Sequence, residues 1–314
     1  MKKNLNNLFF LLLILGTVIT LSSNKWVMMW MGMELNMISF IPIINQNKKS
    51  NSSESSMIYF LIQSMGSMIM LMGILTPPNF PNYAMTMAMM IKLGAAPMHM
   101  WMPEMMEKTE WTQCLILSTW QKIAPMMILT HCNKPMIMTF TITSVMAGAI
   151  GGINQTSLRK MLAFSSISHL GWMMSSTITN QTTWVNYLMI YSIMMMMIIN
   201  MFKKNNMLFI TQMNNNLTNM EKMNLSIMMM SMGGLPPFLG FLPKWLIIQE
   251  LSKTSILPLM IMIMLSMITL YFYMRIISSQ ILISSMKMKN STKSKNTLLM
   301  MMFNMIGMPI MILL

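Results

Sequence analysis

The sequence predicts an all-α, polytopic transmembrane helix bundle of about eleven spans. The chain has a mean hydropathy of +0.55 and only 9% charged residues, whereas soluble domains carry about 25%. Its apolar runs are long, and about 20 apolar residues are enough to cross a bilayer as a helix. Short polar or basic stretches separate these runs. The chain is therefore expected to cross the membrane repeatedly.

The apolar runs also give the positions of the spans. Each predicted span is bounded by a polar loop, a proline-rich turn or a group of basic residues. We predict spans at about 5–23, 26–44, 57–75, 84–102, 112–130, 135–153, 158–178, 183–201, 224–251, 256–277 and 298–314.

Basic residues are distributed unequally between the two faces of this predicted bundle. Fifteen lie on the face that carries the N-terminus and three on the opposite face. Because basic loops stay on the inner side of a membrane, the N-terminus is predicted to lie inside. The net charge of +14 is thus explained by topology and does not indicate nucleic-acid binding. The remaining three of the 21 basic residues, Lys92, Lys122 and Lys244, lie within spans.

A fourth charge, Glu34, lies near the centre of the second span. On insertion scales each central charge costs roughly 2.5–3.5 kcal/mol. A buried structural ion pair is one interpretation, but one acid cannot neutralise three lysines. The excess charge must be hydrated, or the lysines partly deprotonated by desolvation. A desolvated lysine beside a movable carboxylate is suited to relaying protons.

Two predicted spans carry glycine and proline in their middle, which must interrupt the helix. These breaks occupy 92–99 in the fourth span and 233–245 in the ninth. Irregular backbone at membrane depth survives only inside protein or beside water. Because the two spans are five apart, they run in opposite directions, as in inverted-repeat transporters. Within one membrane domain over 1–314, we therefore expect two inverted five-helix repeats and an extra C-terminal span, at 5–130, 135–277 and 298–314.

The histidines and small-residue motifs give weaker signals. His169, in the middle of the seventh span, is either a relay member or a satisfied core histidine. His99 follows the first break and is expected to bond the carbonyls freed there. The run 148–152 predicts close helix packing and not a nucleotide loop, because no GK[ST] follows it. The sequence contains no Cys/His cluster and no nucleophile–base set.

Five motifs occur in order along the chain, at 31–34, 92–101, 119–125, 151–172 and 233–245. Together they resemble the subunit 2 family of mitochondrial NADH dehydrogenase (NADH:ubiquinone oxidoreductase, respiratory complex I). The resemblance runs from the first span to about Tyr273, and the last forty or so residues are generic.

The resemblance implies an antiporter-like, proton-translocating core subunit of the membrane arm. Family proton carriers correspond to Glu34, Lys92, Lys122 and Lys244. The family implies no cofactor on this chain: NADH, FMN, iron–sulfur clusters and ubiquinone are used elsewhere in the complex. Its partners would be other membrane-arm subunits, the lipid bilayer and protons, with no nucleic acid. The location implied is the mitochondrial inner membrane, with the N-terminus on the matrix side and the C-terminus on the intermembrane-space side.

Two other functions remain open on the sequence. A free-standing cation/proton antiporter would exchange ions without a redox partner. A structural scaffold would support assembly of the membrane arm without pumping. Substitution of the buried lysines separates the scaffold from the pump, because a scaffold would lose assembly and keep the pumping of each assembled complex.

Overall fold

The computed structural model describes residues 2–47, 50–76, 81–132, 134–179, 182–213 and 217–284. These residues fold into α-helices with short 3₁₀ turns, and within them the β-pairing is one isolated bridge, between Ser157 and Phe209. The helices are α1 (Lys2–Ser22), α2 (Trp26–Ile44), α3 (Ser50–Leu75), α4 (Pro81–Leu93), α5 (Trp101–Lys108), α6 (Trp111–Ser118), α7 (Ile123–Leu129), α8 (Lys134–Gly152), α9 (Leu158–Thr179), α10 (Thr183–Lys204), α11 (Asn219–Gly233), α12 (Phe241–Thr254) and α13 (Ile256–Ser284).

The all-α membrane class is confirmed. In the described ranges, five helices are long and apolar enough to cross a membrane, namely α2, α3, α8, α10 and most of α13. The apolar part of α1 and that of α4 are shorter. The predicted total of eleven spans is not established by these helices, and the predicted span at 298–314 lies outside the described residues.

The helix breaks are more numerous than the sequence analysis expected. The predicted interruptions separate α4 from α5 and α11 from α12. A third, unpredicted interruption divides the fifth span, where a 3₁₀ turn over Trp120–Lys122 joins α6 to α7. Pro125 follows this turn, and since proline has no N–H, it leaves a carbonyl of the preceding turn without its helical partner. A short 3₁₀ stretch inside a helix is typical of a hinge or functional site.

Backbone packing divides the chain into two compact units, 1–144 and 145–314, and the boundary falls inside α8. In the first unit, α1 and α2 approach closely at glycines. A Cβ on Gly16 would lie 2.9 Å from the carbonyl oxygen of Gly32. Small residues allow this approach between membrane helices.

The second unit has a similar close contact between α8 and α9. A Cβ on Gly148 would lie 2.6 Å from the amide nitrogen of Ser168. This confirms the prediction that the glycines near 148–152 serve helix packing. The inverted-repeat arrangement of 5–130 and 135–277 stays a prediction.

Candidate proton-relay site

Lys92 lies in the last turn of α4, directly before the first helix break. Its side chain is only 5% exposed. The backbone carbonyl of Lys92, which the break leaves without a helical partner, accepts a hydrogen bond of 3.0 Å from Gln63 Nε2 on α3. The aliphatic stem of Lys92 packs on Gly66, where a Cβ would lie 2.9 Å from Lys92 Cγ. The break and its neighbour α3 therefore fix the position of this lysine.

Glu34 lies on α2 and is half-buried. Its carboxylate interacts electrostatically with the Lys92 ammonium group and with the Tyr59 hydroxyl. In the described part of the chain, no ion pair of 4 Å or less joins Glu34 to Lys92. The Glu34 carboxylate is thus near enough to act on the Lys92 ammonium group, but the two are not locked in an ion pair.

Lys122 ends the 3₁₀ turn of the fifth span and is 2% exposed. Because it is buried, the Lys122 side chain lies in the interior of the first unit. It lines the same cavity as Lys92. The structure therefore brings Glu34, Lys92 and Lys122 into one region of the first unit.

The cavity between these lysines has a volume of about 20 Å³. A buried water needs roughly 10–15 Å³ of such space and two to four polar partners. The cavity meets both conditions for one water molecule. Besides Lys92 and Lys122, its lining residues with polar groups are Asn36, Tyr59, Gln63, Trp101 and Gln121.

Three of these lining residues, Asn36, Tyr59 and Gln121, form a hydrogen-bond network that was not predicted from the sequence. Gln121 Nε2 donates to Asn36 Oδ1 at 3.1 Å, and the Tyr59 hydroxyl donates to Gln121 Oε1 at 3.4 Å. Asn36, Tyr59 and Gln121 are polar residues inside predicted apolar spans, and this position is the sequence signal that could have indicated the network. The network thus adds groups that can bind water to the cavity that the two lysines share.

Lys244 lies in the second unit, in the first turn of α12 after the second break, and is 6% exposed. Its ammonium group donates a hydrogen bond of 2.9 Å to the backbone carbonyl of Gly233. This carbonyl belongs to the C-terminus of α11, the negative end of that helix dipole, where a cation is stabilised. The broken helix itself therefore supplies a partner for Lys244.

Gly234 makes this contact possible. Its φ of +82° is in the left-handed region, where residues with a Cβ are strained. A Cβ there would also lie 3.0 Å from both Cδ and Nζ of Lys244. Only glycine combines this turn with the close approach of the lysine.

His169 is buried on α9 in the same unit. Its Nδ1 lies 2.7 Å from the Tyr187 hydroxyl, and its ring is 5.0 Å from that of Tyr191 between centroids. A hydrogen-bonded histidine–tyrosine pair fits either a core contact or a proton relay. At the first break, His99 Nδ1 lies 3.1 Å from the Pro97 carbonyl, as predicted for a freed carbonyl. The described residues contain no cluster of His, Cys, Asp or Glu suited to a metal ion.

Comparison with known sequences decides the family. The sequence model described as "NADH:quinone oxidoreductase/Mrp antiporter, TM" matches residues 23–82 and 77–270. NADH-ubiquinone oxidoreductase chain 2 of Anopheles gambiae is 40% identical over 331 residues, covering 98% of this chain and 96% of the relative. The chain belongs to the NADH-ubiquinone oxidoreductase chain 2 family. The Locusta migratoria member is 44% identical, covering 88% of this chain and 85% of the relative.

Solved structures show the same fold at low sequence identity. A chain of respiratory complex I from Thermus thermophilus with bound aureothin superimposes with a TM-score of 0.82 at 18% identity. The match covers 98% of this chain and 79% of the other. A chain of the Mrp complex from Dietzia sp. DQ12-45-1b gives a TM-score of 0.77 at 16% identity, covering 91% and 61%. The antiporter-like fold predicted for the chain 2 family member is therefore confirmed.

Proposed function

We propose that this chain is the proton-translocating, antiporter-like core subunit of the membrane arm of NADH:ubiquinone oxidoreductase, complex I. Membership of the chain 2 family and the antiporter-like fold support this role. The observation that carries it to the residue level is the placement of all three membrane lysines at helix breaks. A break gives a lysine both a free backbone carbonyl and a place where local geometry can change.

The first step belongs to Glu34 and Lys92. When the carboxylate approaches, it stabilises the protonated lysine, because opposite charges favour the charged form. When it withdraws, the buried ammonium group loses this support and releases its proton. The absence of a locked ion pair fits such a movable partner, since a fixed pair would hold the proton permanently.

Lys122 accepts the proton next, through the water-sized cavity that it shares with Lys92. A water molecule in this cavity would carry the proton, and the uncharged amides of Gln63 and Gln121 would hold it in position. Lys244 then exchanges the proton with the opposite face or the next subunit. In this step the Gly233 carbonyl stabilises the charged lysine, and His169 is a candidate donor or acceptor through its bond to Tyr187.

The remaining features follow from this role. The chain acts as a non-redox subunit: NADH oxidation and ubiquinone reduction occur in other subunits, which carry the FMN, the iron–sulfur clusters and the quinone. It spans the mitochondrial inner membrane several times beside other membrane-arm subunits. The basic bias places the N-terminus on the matrix side and the C-terminus on the intermembrane-space side.

The test replaces Lys92 by methionine in complex I and measures protons pumped per electron after reconstitution into liposomes. Lys108→Met serves as the control, because Lys108 is a half-exposed lysine that pairs with Glu54 at 2.8 Å outside the predicted spans. We expect Lys92→Met to lower the ratio and Lys108→Met to leave it unchanged. An unchanged ratio together with normal assembly of Lys92→Met would rule out the proposed mechanism.

The same reconstitution separates the other two functions. Lower assembly with unchanged pumping per assembled complex would identify a scaffold. For a free-standing antiporter, the purified chain alone in liposomes would exchange sodium for protons. We expect no such exchange, and we expect the chain to be found in the NADH-oxidising band of a native gel of mitochondrial membranes.

A further inference from the structure

A second cavity lies at one end of the second unit, and Lys244 is not among its lining residues. Its volume is about 320 Å³, which is within the lower range of ligand pockets. It opens between the α8–α9 loop, the 3₁₀ turn Ile210–Gln212 and the last turns of α13. Its lining consists of Gln155, Thr156, Phe209, Ile210, Thr211, Arg275 and Ser279.

The walls of this cavity are built by contacts between distant parts of the chain. Leu158 N donates to the Leu208 carbonyl at 2.9 Å, and Ile210 N donates to the Thr156 carbonyl at 3.2 Å. The segment that carries Phe209 is thereby held against the start of α9. Phe209 nevertheless stays 46% exposed, so an aromatic ring is presented at the rim of the cavity.

Arg275 contributes the charge of the cavity. Its Nη1 donates to the Ile153 carbonyl, and its Nη2 donates to the Gln155 carbonyl at 2.7 Å. These acceptors are neutral, so they orient the guanidinium group without cancelling its charge. The fork has five donor hydrogens, and two such bonds leave others for an additional acceptor.

The surroundings of Arg275 are basic. Among the residues that the structure describes, this end of the second unit carries six basic residues and one acid, Glu221, which is already paired with Lys204 at 2.9 Å. An anionic ligand would therefore be complementary to this end. The basic residues are Arg159, Lys160, Lys203, Lys204, Lys222 and Arg275.

The position of Arg275 along α13 indicates how deep this residue lies in the membrane. It lies 19 residues after Ile256, where α13 begins. At 1.5 Å per residue this is about 28 Å, close to the roughly 30 Å thickness of the hydrocarbon core. If Ile256 lies at one membrane interface, Arg275 lies at the level of the lipid headgroups on the other side.

We propose that this cavity binds one anionic phospholipid. The phosphate accepts hydrogen bonds from Arg275, and the glycerol and upper acyl chain pack on Phe209 and Ile210. Basic pockets between membrane helices at the headgroup level are suited to such lipids. This binding is separate from proton transfer and does not depend on the function of the lysines.

The test uses intact complex I in nanodiscs of phosphatidylcholine that contain a small fraction of photo-crosslinkable lipid. One preparation receives phosphatidylglycerol as the probe and the other receives phosphatidylcholine. We expect peptides that contain Phe209–Thr211 to be labelled about fivefold more by the anionic probe. Equal labelling by the two probes would overturn the proposal.

Variants identify the cavity as the place of binding. Arg275→Gln also removes the bonds to the two carbonyls and can disturb folding, so Thr211→Trp is the informative variant. Thr211 lines the rim, and tryptophan fills the space while Arg275 stays in place. We expect it to reduce anionic labelling to the level of the zwitterionic probe. The control, Lys203→Gln, removes a charge from the same basic end outside the lining, and we expect the preference to persist.

Other occupants give different results in the same experiment. Loss of the preference in Lys203→Gln would indicate general surface attraction and contradict a site. Protection of Phe209–Thr211 from both lipid probes, with chemical crosslinks to an acidic segment of another subunit or to 285–314 of this chain, would assign the cavity to protein. Proton pumping by the variants is measured separately, so its loss or retention does not affect the lipid result.

Discussion

The two units stabilise a buried lysine in different ways. In the first unit, Lys92 has a carboxylate, Glu34, nearby and shares a polar cavity with Lys122. In the second, the ammonium group of Lys244 binds directly to the Gly233 carbonyl at the end of a half-helix. A movable carboxylate changes the charge balance of the lysine, whereas a backbone carbonyl provides a fixed site. In the proposed function, the first unit therefore controls the release of the proton, and the second holds it until Lys244 exchanges it.

The largest effect is expected for a substitution at Gly240, the most tightly packed glycine of the break between α11 and α12. A Cβ on Gly240 would lie 1.7 Å from the Ser231 carbonyl oxygen, so Gly240→Ala requires the backbone to move. We expect a loss of more than about 4 kcal/mol and little assembled complex on a native gel. In the control, Gly233→Ala, the new Cβ would lie 3.5 Å from Leu270, and assembly should be normal. Normal assembly of Gly240→Ala would contradict the packing of this break.

A smaller effect is expected for substitutions of the two left-handed glycines, which lie in the breaks between α4 and α5 and between α11 and α12. Gly94 has φ +69° and Gly234 has φ +82°, so alanine costs about 1–2 kcal/mol at either position. At Gly94 the added Cβ meets the Trp101 ring at 3.3 Å, whereas at Gly234 it meets Lys244 at 3.0 Å. We expect equal losses of thermal stability, but a larger loss of pumping per assembled complex for Gly234→Ala. Equal pumping would show that the contact between Gly234 and Lys244 is not functional.

Gln63 provides a comparable test of the first unit. Gln63→Leu leaves the Lys92 carbonyl without its hydrogen bond, and an unsatisfied buried acceptor costs about 1–3 kcal/mol. We expect a lower temperature of dissociation of the complex and reduced pumping, because Lys92 loses its fixed position. Ser64→Ala, on the exposed face of the same helix, is the control. If Gln63→Leu behaves like Ser64→Ala, the amide does not position the lysine.

The smallest expected effect is a pH dependence of the stability, which arises from Glu221 outside the predicted spans. Burial raises the pKa of the Glu221 carboxyl, but hydrogen bonds from Lys204 and Thr218 outweigh burial and hold this pKa below its usual range. Glu221 therefore contributes stability above the pKa of the unfolded chain, and this stability is lost as the pH falls through the folded pKa. Because Lys204 is 59% exposed, the contribution is less than about 1 kcal/mol.

Thermal unfolding at several pH values checks this contribution. The difference between the wild type and Glu221→Gln should be greatest near pH 7 and disappear toward acid. Glu54→Gln is the control, because the Glu54 side chain is 59% exposed in its pair with Lys108 and should matter less. A difference between wild type and Glu221→Gln that grows as the pH falls would contradict the assigned shift.

Helix positions and buried charges could be predicted because both depend on local composition. The predicted 26–44 coincides with α2, and 158–178 lies within one residue of α9. The third predicted span was too short, since the polar stretch before residue 57 also forms helix and α3 begins at Ser50. Glycine and proline are also local signals, and they predicted two of the three helix breaks. The 3₁₀ turn at Lys122 was not predicted, because the single proline beside it, Pro125, does not by itself indicate a break.

The partners of the buried charges could not be predicted in the same way. Gln121 and Asn36 are 85 residues apart, and their pairing depends on how helices pack and not on any local pattern. The partner of Lys244 is a backbone carbonyl, which every residue carries, so the sequence contains no signal that singles out Gly233. The sequence predicted that the excess charge is hydrated or that the lysines are partly deprotonated, and the water-sized cavity beside Lys92 and Lys122 fits the first of these alternatives.

The most direct test asks whether the lysines of the two units act in series. Protons pumped per electron are measured for complexes that carry Lys92→Met, Lys244→Met and both substitutions, each normalised to the amount of assembled complex. Because groups on one path act as a unit, their effects are not additive. We predict that the double variant pumps no less than the poorer single variant. Losses that add in the double variant would contradict a single relay, and unchanged ratios in all three would contradict any role of these lysines in pumping.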